Sequence, residues 1–160
     1  MLIYLYALIR GKGIDDNKAA AILYQPSKRD INNTGMAMNG LLQSDIELIK
    51  AMDKECNGKY VPKLSLNKDG SLSKRSTSFV EPEKFTEIFD HIERLMKNTG
   101  ISILNGEISI SPIDGRESPA CKYCDYSGVC GIENIAVEKV PDLNNEEVFE
   151  KMKEERNNGI

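Results

Sequence analysis

Three cysteines within ten residues constrain this chain more than any other feature of its sequence. Cys121, Cys124 and Cys130 have the spacing C-x2-C-x5-C, with Gly128 inside the segment and Gly131 directly after it. Two thiolates separated by two residues can bind one metal ion from a single turn, and a third completes one face of a tetrahedron. Thiolates select zinc or an iron–sulfur cluster over hard cations. The segment therefore predicts a metal-binding knuckle.

The remaining cysteine leaves the completeness of this site open. Cys56 lies more than sixty residues upstream, at the end of a predicted helix. It either folds back to the knuckle as a fourth ligand or is an ordinary buried thiol, and we favour the thiol. In that case the missing ligand lies outside this chain. Two disulfides are a poorer explanation, because three cysteines are crowded together and no secretory segment is visible.

Composition places the chain among ordinary globular proteins. Its 160 residues are 40% hydrophobic and 29% charged, which suits one domain with a core of useful size. The net charge of −4 gives no global attraction to nucleic acid, so any DNA contact must be local. Residues 1–9 are apolar but reach only about half of the ~20 residues that a membrane span needs. We therefore expect a cytoplasmic protein, and one that begins as though cut within an apolar run.

The first third of the chain alternates helix and strand signals. Residues 2–9 predict a short, mostly buried helix that Gly11 and Gly13 end. Residues 18–25 form an apolar run without helical period, which predicts a central strand. Residues 27–40 are rich in asparagine, glycine and charge, and predict a loop. Together these signals indicate an α/β fold.

The next segment predicts a helix and a hairpin. Ser44 and Glu47 match the S-x-x-E capping box and predict a helix of about three turns. Residues 60–66 and 72–80 have an extended pattern and flank Asn-Lys-Asp-Gly at 67–70, where Asp-Gly supplies the positive backbone angle of a tight turn.

The clearest predicted element is a helix that runs from Pro82 to about Asn98. Its apolar residues recur at three- and four-residue spacing: Phe85, Ile88, Phe89, Ile92, Leu95 and Met96. Gly100 is predicted to lie beyond its end, and residues 101–110 to form a hairpin around Asn-Gly. Residues 144–157 form a charged tail with a weak helical pattern.

Few other residues point to chemistry. His91 is the only histidine and has no cysteine or carboxylate at ligand spacing, so we interpret it as structural. The chain has no serine elbow, P-loop or dinucleotide fingerprint to support triad, ATP or NAD chemistry. A locally basic stretch with serine and threonine neighbours is a weak candidate for phosphate contacts, and a solvated surface explains it equally well. Its candidate residues are Lys63, Lys68, Lys74 and Arg75.

Residues 111–130, which contain the three cysteines, resemble the C-terminal end of the AddB family, the second subunit of bacterial AddAB helicase–nucleases. In that family a similar pattern of prolines, thiols and aromatics holds a [4Fe–4S] cluster. Met1-Leu-Ile-Tyr-Leu resembles the stretch that follows a motif glutamine, so that Tyr4 matches the tyrosine of the Q-x3-Y motif. Residues 18–25, 40–42 and 61–70 resemble further landmarks of the family. The likeness covers most of residues 1–132.

This resemblance implies the C-terminal, incomplete part of a PD-(D/E)XK (restriction-endonuclease-like) nuclease domain of the α/β class. Acidic residues and a lysine of such domains hold Mg²⁺ for phosphodiester hydrolysis. They normally precede Q-x3-Y, so we expect no catalytic residue in this chain and no nuclease activity from it alone. The family's first cluster cysteine also lies upstream, which implies that Cys121, Cys124 and Cys130 are three of four ligands.

The resemblance further implies a division of the chain and a set of partners. Residues 1–117 would belong to the nuclease domain, 118–132 to the cluster-binding loop and 133–160 to a charged tail. DNA and an AddA-like helicase–nuclease subunit are the implied partners, without a membrane.

Two alternatives stay open. A CRISPR-associated RecB-like exonuclease shares the tyrosine motif and three late cysteines, although the long insert between Gln25 and Phe79 favours AddB. A self-contained module that binds Zn²⁺ through the knuckle would instead use Cys56 as its fourth ligand.

Overall fold

The chain divides in this computed structural model into two units, Met1–Leu95 and Met96–Ile160. The structure describes residues 1–25, 38–58, 60–61, 64–73, 78–111, 113–114, 121, 124–126, 129–131 and 138–158. Its helices are α1 (Leu2–Gly11), α2 (Ile46–Met52), α3 (Pro82–Leu104) and α4 (Asn145–Asn157), with a short 3-10 helix at Asp16–Lys18. Its strands are β1 (Ala21–Tyr24), β2 (Asn39–Gln43), β3 (Phe79–Val80), β4 (Ile113–Asp114) and β5 (Glu138–Lys139).

The sheet of the first unit has the order β1-β2-β3. Strand β1 is antiparallel to β2, with Ala21 opposite Leu42 and Tyr24 opposite Asn39. Strand β3 is parallel to β2, with Leu42 opposite Phe79. The predicted strand at residues 18–25 is thus confirmed, but the prediction that it is central is wrong for the sheet that the structure describes, where β2 takes that place. Most of the predicted loop at 27–40 lies outside the described residues.

The core of the first unit lies where α3 meets the sheet side of the chain. Phe85, Phe89, Leu42, Ile49 and Val61 are its largest fully buried side chains. The rings of Phe85 and Phe89 lie 6.1 Å apart. The predicted apolar stripe of α3 is confirmed over its first four members, whereas the last two are half-exposed.

Helix α1 begins and ends close to the predicted residues, since Gly13 follows it with a φ of 64°. Its predicted burial is wrong. Only Ile9 is buried in this helix, and Tyr6 contacts the Phe89 ring at 6.1 Å. The opposite side is apolar and exposed, because the described part of the chain places nothing against it.

Helix α2 is capped by a neighbour of the predicted residue. The Asp45 carboxylate accepts hydrogen bonds from the backbone N–H groups of Glu47 and Leu48, at 2.8 and 3.4 Å. Asp45 rather than Ser44 is therefore the N-cap, since the helix starts at Ile46 and both residue types can cap. The helix has seven residues, about two turns instead of three.

The predicted hairpin is confirmed at its turn. Leu66 and Leu72 form an antiparallel bridge, and Gly70 has a φ of 81°. The Asp69 carboxylate accepts from the backbone N–H of Ser71 at 3.0 Å and from its hydroxyl at 2.6 Å. These hydrogen bonds lower the pKa of Asp69, which fixes the turn by local contacts.

Helix α3 continues past Gly100 to Leu104, so the hairpin predicted at residues 101–110 is wrong. The backbone N–H of Gly106 donates to Ile103 O at 3.1 Å, and that of Glu107 donates to Ser102 O at 2.9 Å. This pair of bonds is the Schellman pattern, with Gly106 in the left-handed conformation at a φ of 73°. The Asn-Gly pair therefore ends a helix here and does not turn a hairpin.

The second unit contains two elements besides the end of α3. Strands β4 and β5 are parallel, with Ile113 opposite Glu138. Helix α4 confirms the helical pattern predicted for residues 144–157, and Asn144 and Glu147 form a reciprocal capping box at its start. Among the helices that the structure describes, none is long and apolar enough to cross a membrane.

Candidate functional site

Tyr4 lies on the bare side of α1. Its side chain is 75% exposed, and Ile3 and Leu8 on this helix are about half-exposed. Successive helical residues are rotated by about 100°, so Tyr4 and Tyr6 point about 160° apart. Because Tyr6 packs on Phe89 of α3, Tyr4 faces away from the core of the first unit.

Arg10 joins α1 to two other elements. Its guanidinium forms a bidentate pair with Asp16, from Nε to Oδ1 at 3.2 Å and from Nη2 to Oδ2 at 2.6 Å. Nη2 also donates to Asp90 Oδ1 at 2.7 Å, and Nη1 donates to Glu93 Oε2 at 2.9 Å. Its carbon Cζ lies 5.9 Å from the centre of the Tyr6 ring. We call Arg10, Asp16, Asp90 and Glu93 the Arg10 cluster.

The Arg10 cluster keeps its cation charged. The hydrogen bond to Asp16 and then that to Asp90 raise the pKa of Arg10 above its ordinary value, against a smaller opposing effect of burial. A raised folded-state pKa stabilises the fold fully below the unfolded-state pKa, and that contribution is lost only at strongly alkaline pH. The guanidinium therefore stays charged throughout the physiological range.

Gln43 is a second polar residue at a structural junction. It is buried at the end of β2, and its Nε2 donates to the backbone oxygen of Asn17 in the 3-10 helix at 2.5 Å. Arg10 and Gln43 thus both contact the segment that connects α1 to β1. Sequence reasoning missed both residues, because their partners are 6 to 83 positions away and no local motif marks them.

The cysteine segment contributes donors to the second unit. Cys121, Cys124 and Cys130 are reduced thiols; Cys124 is exposed and the other two are half-buried. The Cys124 backbone N–H donates to Cys121 O at 3.3 Å, which is the single turn predicted from their spacing. Their chemistry suits a thiolate metal site. Among the described residues, however, no group of three His, Cys, Asp or Glu side chains is arranged to hold a metal ion.

Cys56 lies in the first unit, just after α2. Its Sγ donates to the backbone oxygen of Asp53 at 3.3 Å, and its φ is 50°. The Asp53 carboxylate is buried and accepts from the backbone N–H of Tyr60 at 3.4 Å. Cys56 is thus engaged in the local turn that follows α2.

The other predicted residues are only partly described. Lys68 is exposed in the hairpin turn, whereas Lys63, Lys74 and Arg75 lie outside the described residues. His91 Nδ1 lies 3.0 Å from Arg94 Nη2 on the same helix, as a structural histidine would.

The sequence model of the PD-(D/E)XK nuclease superfamily matches residues 1–131 of this chain. The chain belongs to this superfamily. Its membership confirms the predicted fold class, and the mixture of helices and a small mixed sheet agrees with it.

Relatives of this nuclease chain include three proteins that are each named as the second subunit of an ATP-dependent helicase/deoxyribonuclease. The protein of Thermoanaerobacter sp. (strain X514) is 32% identical over 98% of the chain and 16% of its own length. That of Alkaliphilus metalliredigens is 32% identical over 89% of the chain and 13% of its own length. That of Clostridioides difficile is 33% identical over 74% of the chain and 11% of its own length. The resemblance to the AddB family is confirmed, and the chain spans about a sixth or less of these relatives.

Proposed function

We propose that this nuclease chain is the C-terminal part of the nuclease domain in an AddB-like subunit that processes double-strand DNA ends for recombinational repair. The supporting observation is the 32% identity over 98% of the chain to a protein named as a helicase/deoxyribonuclease subunit. The names of the relatives favour this function over the CRISPR-associated exonuclease.

In this proposal Tyr4 is the residue of the chain that meets DNA beside the cleaved bond. Its exposure on α1 supports the role, because a phenol there can donate a hydrogen bond to a phosphate oxygen or stack on a base. Carboxylates and a lysine upstream of Tyr4 in the full-length subunit would hold Mg²⁺, which polarises the phosphate and activates water. The 160-residue chain alone would then be inactive.

The proposed partner is an AddA-like helicase–nuclease subunit, and the proposed compartment is the cytoplasm. The word "subunit" in the names of the relatives supports a multi-subunit assembly. Lys63, Lys68, Lys74 and Arg75 remain candidate phosphate contacts, and the exposure of Lys68 suits that role.

Nuclease assays on linear and covalently closed circular DNA would test this function. With Mg²⁺ and ATP, the full-length subunit and its partner should degrade linear DNA and spare the closed circle. Tyr4→Phe should lower the cleavage rate about tenfold, equivalent to ~1.4 kcal/mol, because one hydrogen bond is lost. Tyr24→Phe is the matched control, since Tyr24 is also exposed but lies on β1. Cleavage by the 160-residue chain alone would contradict the proposal.

We also propose that Cys121, Cys124 and Cys130 provide three ligands of a [4Fe–4S] cluster, with the fourth cysteine elsewhere in the full-length subunit. The three reduced thiols and the Cys121–Cys124 turn support a thiolate site. Ligands often gather only when metal binds, which accounts for their spread in the described structure. Bound in this way, the cluster would join distant parts of the domain and stabilise it.

Cysteine variants of the anaerobically purified full-length subunit would test the cluster. Cys121→Ser, Cys124→Ser and Cys130→Ser should each lose most iron, acid-labile sulfide and the brown thiolate-to-iron absorption. Cys56→Ser should keep them, because its thiol serves the turn after α2. A colourless protein with stoichiometric zinc would contradict the cluster, and zinc loss in Cys56→Ser would favour the self-contained module.

A further inference from the structure

Helix α1 has one side anchored and another exposed. Tyr6 and Ile9 hold the anchored side through apolar packing, in which Tyr6 contacts Phe89. Such packing is favourable but non-directional, so it fixes how close the helix lies more firmly than how it is rotated about its axis. Rotation of α1 decides where Tyr4 points. A directional contact is therefore needed to aim it.

Arg10 provides that directional contact. Its planar fork donates from Nε, Nη1 and Nη2 to three carboxylates on two different elements. Asp16 approaches from the 3-10 helix, whereas Asp90 and Glu93 lie three residues apart on one face of α3. A rigid fork held at all three nitrogens cannot turn with its helix without breaking hydrogen bonds.

The chemistry of the cluster requires arginine in particular. A lysine ammonium is a point charge on a flexible stem and has no planar fork to match the bidentate Asp16 pair. Lysine would keep the attraction to the carboxylates but lose the fixed orientation. Arg10→Lys thus separates charge from geometry.

We propose that Arg10 is a positioning residue, which fixes the rotation of α1 and thereby aims Tyr4 at the DNA strand. This inference rests on the proposed nuclease function for its consequence in catalysis. The clamp itself rests only on the contacts of the first unit. The two parts can therefore be tested separately.

Hydrogen exchange on the 160-residue chain tests the clamp. In Arg10→Met, amides of α1 and the 3-10 helix should exchange at least tenfold faster, while those of β2 and the first half of α3 change less than twofold. Arg10→Lys should show an intermediate increase in α1. Lys84→Met is the matched control, because Lys84 pairs with Glu87 within α3 at similar exposure. Unchanged α1 exchange in Arg10→Met would overturn the proposal.

Cleavage kinetics of the full-length subunit with its partner test the aim. Arg10→Met should lower kcat on linear DNA at least tenfold and change KM less than twofold. A variant that also carries Asp16→Asn, Asp90→Asn and Glu93→Gln removes the carboxylate charges that Arg10 balanced, and should recover thermal stability but not kcat. Recovery of kcat with stability would overturn the positioning role. If the unmodified complex fails to cleave DNA, the proposed function fails, and hydrogen exchange still decides whether Arg10 fixes α1.

Discussion

Replacing Phe89 with alanine is expected to lower the free energy of unfolding by about 3–5 kcal/mol. Phe89 is fully buried and its ring meets Phe85 and Tyr6, each at 6.1 Å. Alanine would forfeit the transfer energy of the ring and leave a cavity bordered by α1 and α3. A loss of this size approaches the whole stability of a typical domain, ~5–15 kcal/mol. Urea denaturation followed by circular dichroism would measure it.

The matched control for Phe89→Ala lies on the same helix. Leu104 is 87% exposed near the end of α3, so Leu104→Ala removes a large apolar side chain that packs on little. Its effect should stay within about 0.5 kcal/mol, since alanine is also the better helix former. Equal losses in the two variants would mean that burial does not distinguish these positions.

The elements predicted best from sequence are those fixed by local chemistry. Pro82 starts α3 because proline suits the first helical turn, and the Asp-Gly pair turns the chain at Gly70. The tail helix likewise carries its own capping box at Asn144 and Glu147. In each case the deciding atoms lie within a few residues of one another. Such contacts can be inferred from a sequence.

The end of α3 shows why local signals can mislead. A glycine inside a helix costs only about 1 kcal/mol, which the surrounding helix absorbs at Gly100. Asn105 and Gly106 suit both a hairpin turn and a helix end, because both need a positive backbone angle. Hydrogen bonds back to Ser102 and Ile103 decide for the helix end.

The candidate site was only half accessible to sequence reasoning. The thiol spacing of the cysteine segment and the position of Tyr4 can be read from neighbouring residues. Apolar periodicity predicted that α1 forms, but cannot show what covers each side, and so burial was predicted where Tyr4 is exposed. Arg10 and Glu93 are 83 residues apart, and only the folded chain brings them together.

Replacing Gly40 with alanine is expected to destabilise the chain by about 1–3 kcal/mol or more, because β1 and β2 are too close there for a side chain. A Cβ atom at Gly40 would lie 2.0 Å from Ile22 O and 2.9 Å from Leu23 Cα. Both are backbone atoms of the paired strand, so relief requires the β1–β2 ladder to separate around the Leu23–Gly40 pair. Urea denaturation and faster exchange of β1 amides would show this loss.

The same glycine-to-alanine change at Gly11 should act in the opposite direction. Gly11 ends α1 with nothing within 4 Å of its Cβ position. Alanine there restricts the unfolded chain and favours the helix, so stability should rise by up to about 1 kcal/mol. Opposite signs would attribute the Gly40 effect to the close approach of the strands rather than to glycine itself. A neutral Gly40→Ala variant would mean that β1 and β2 do not pair in this register.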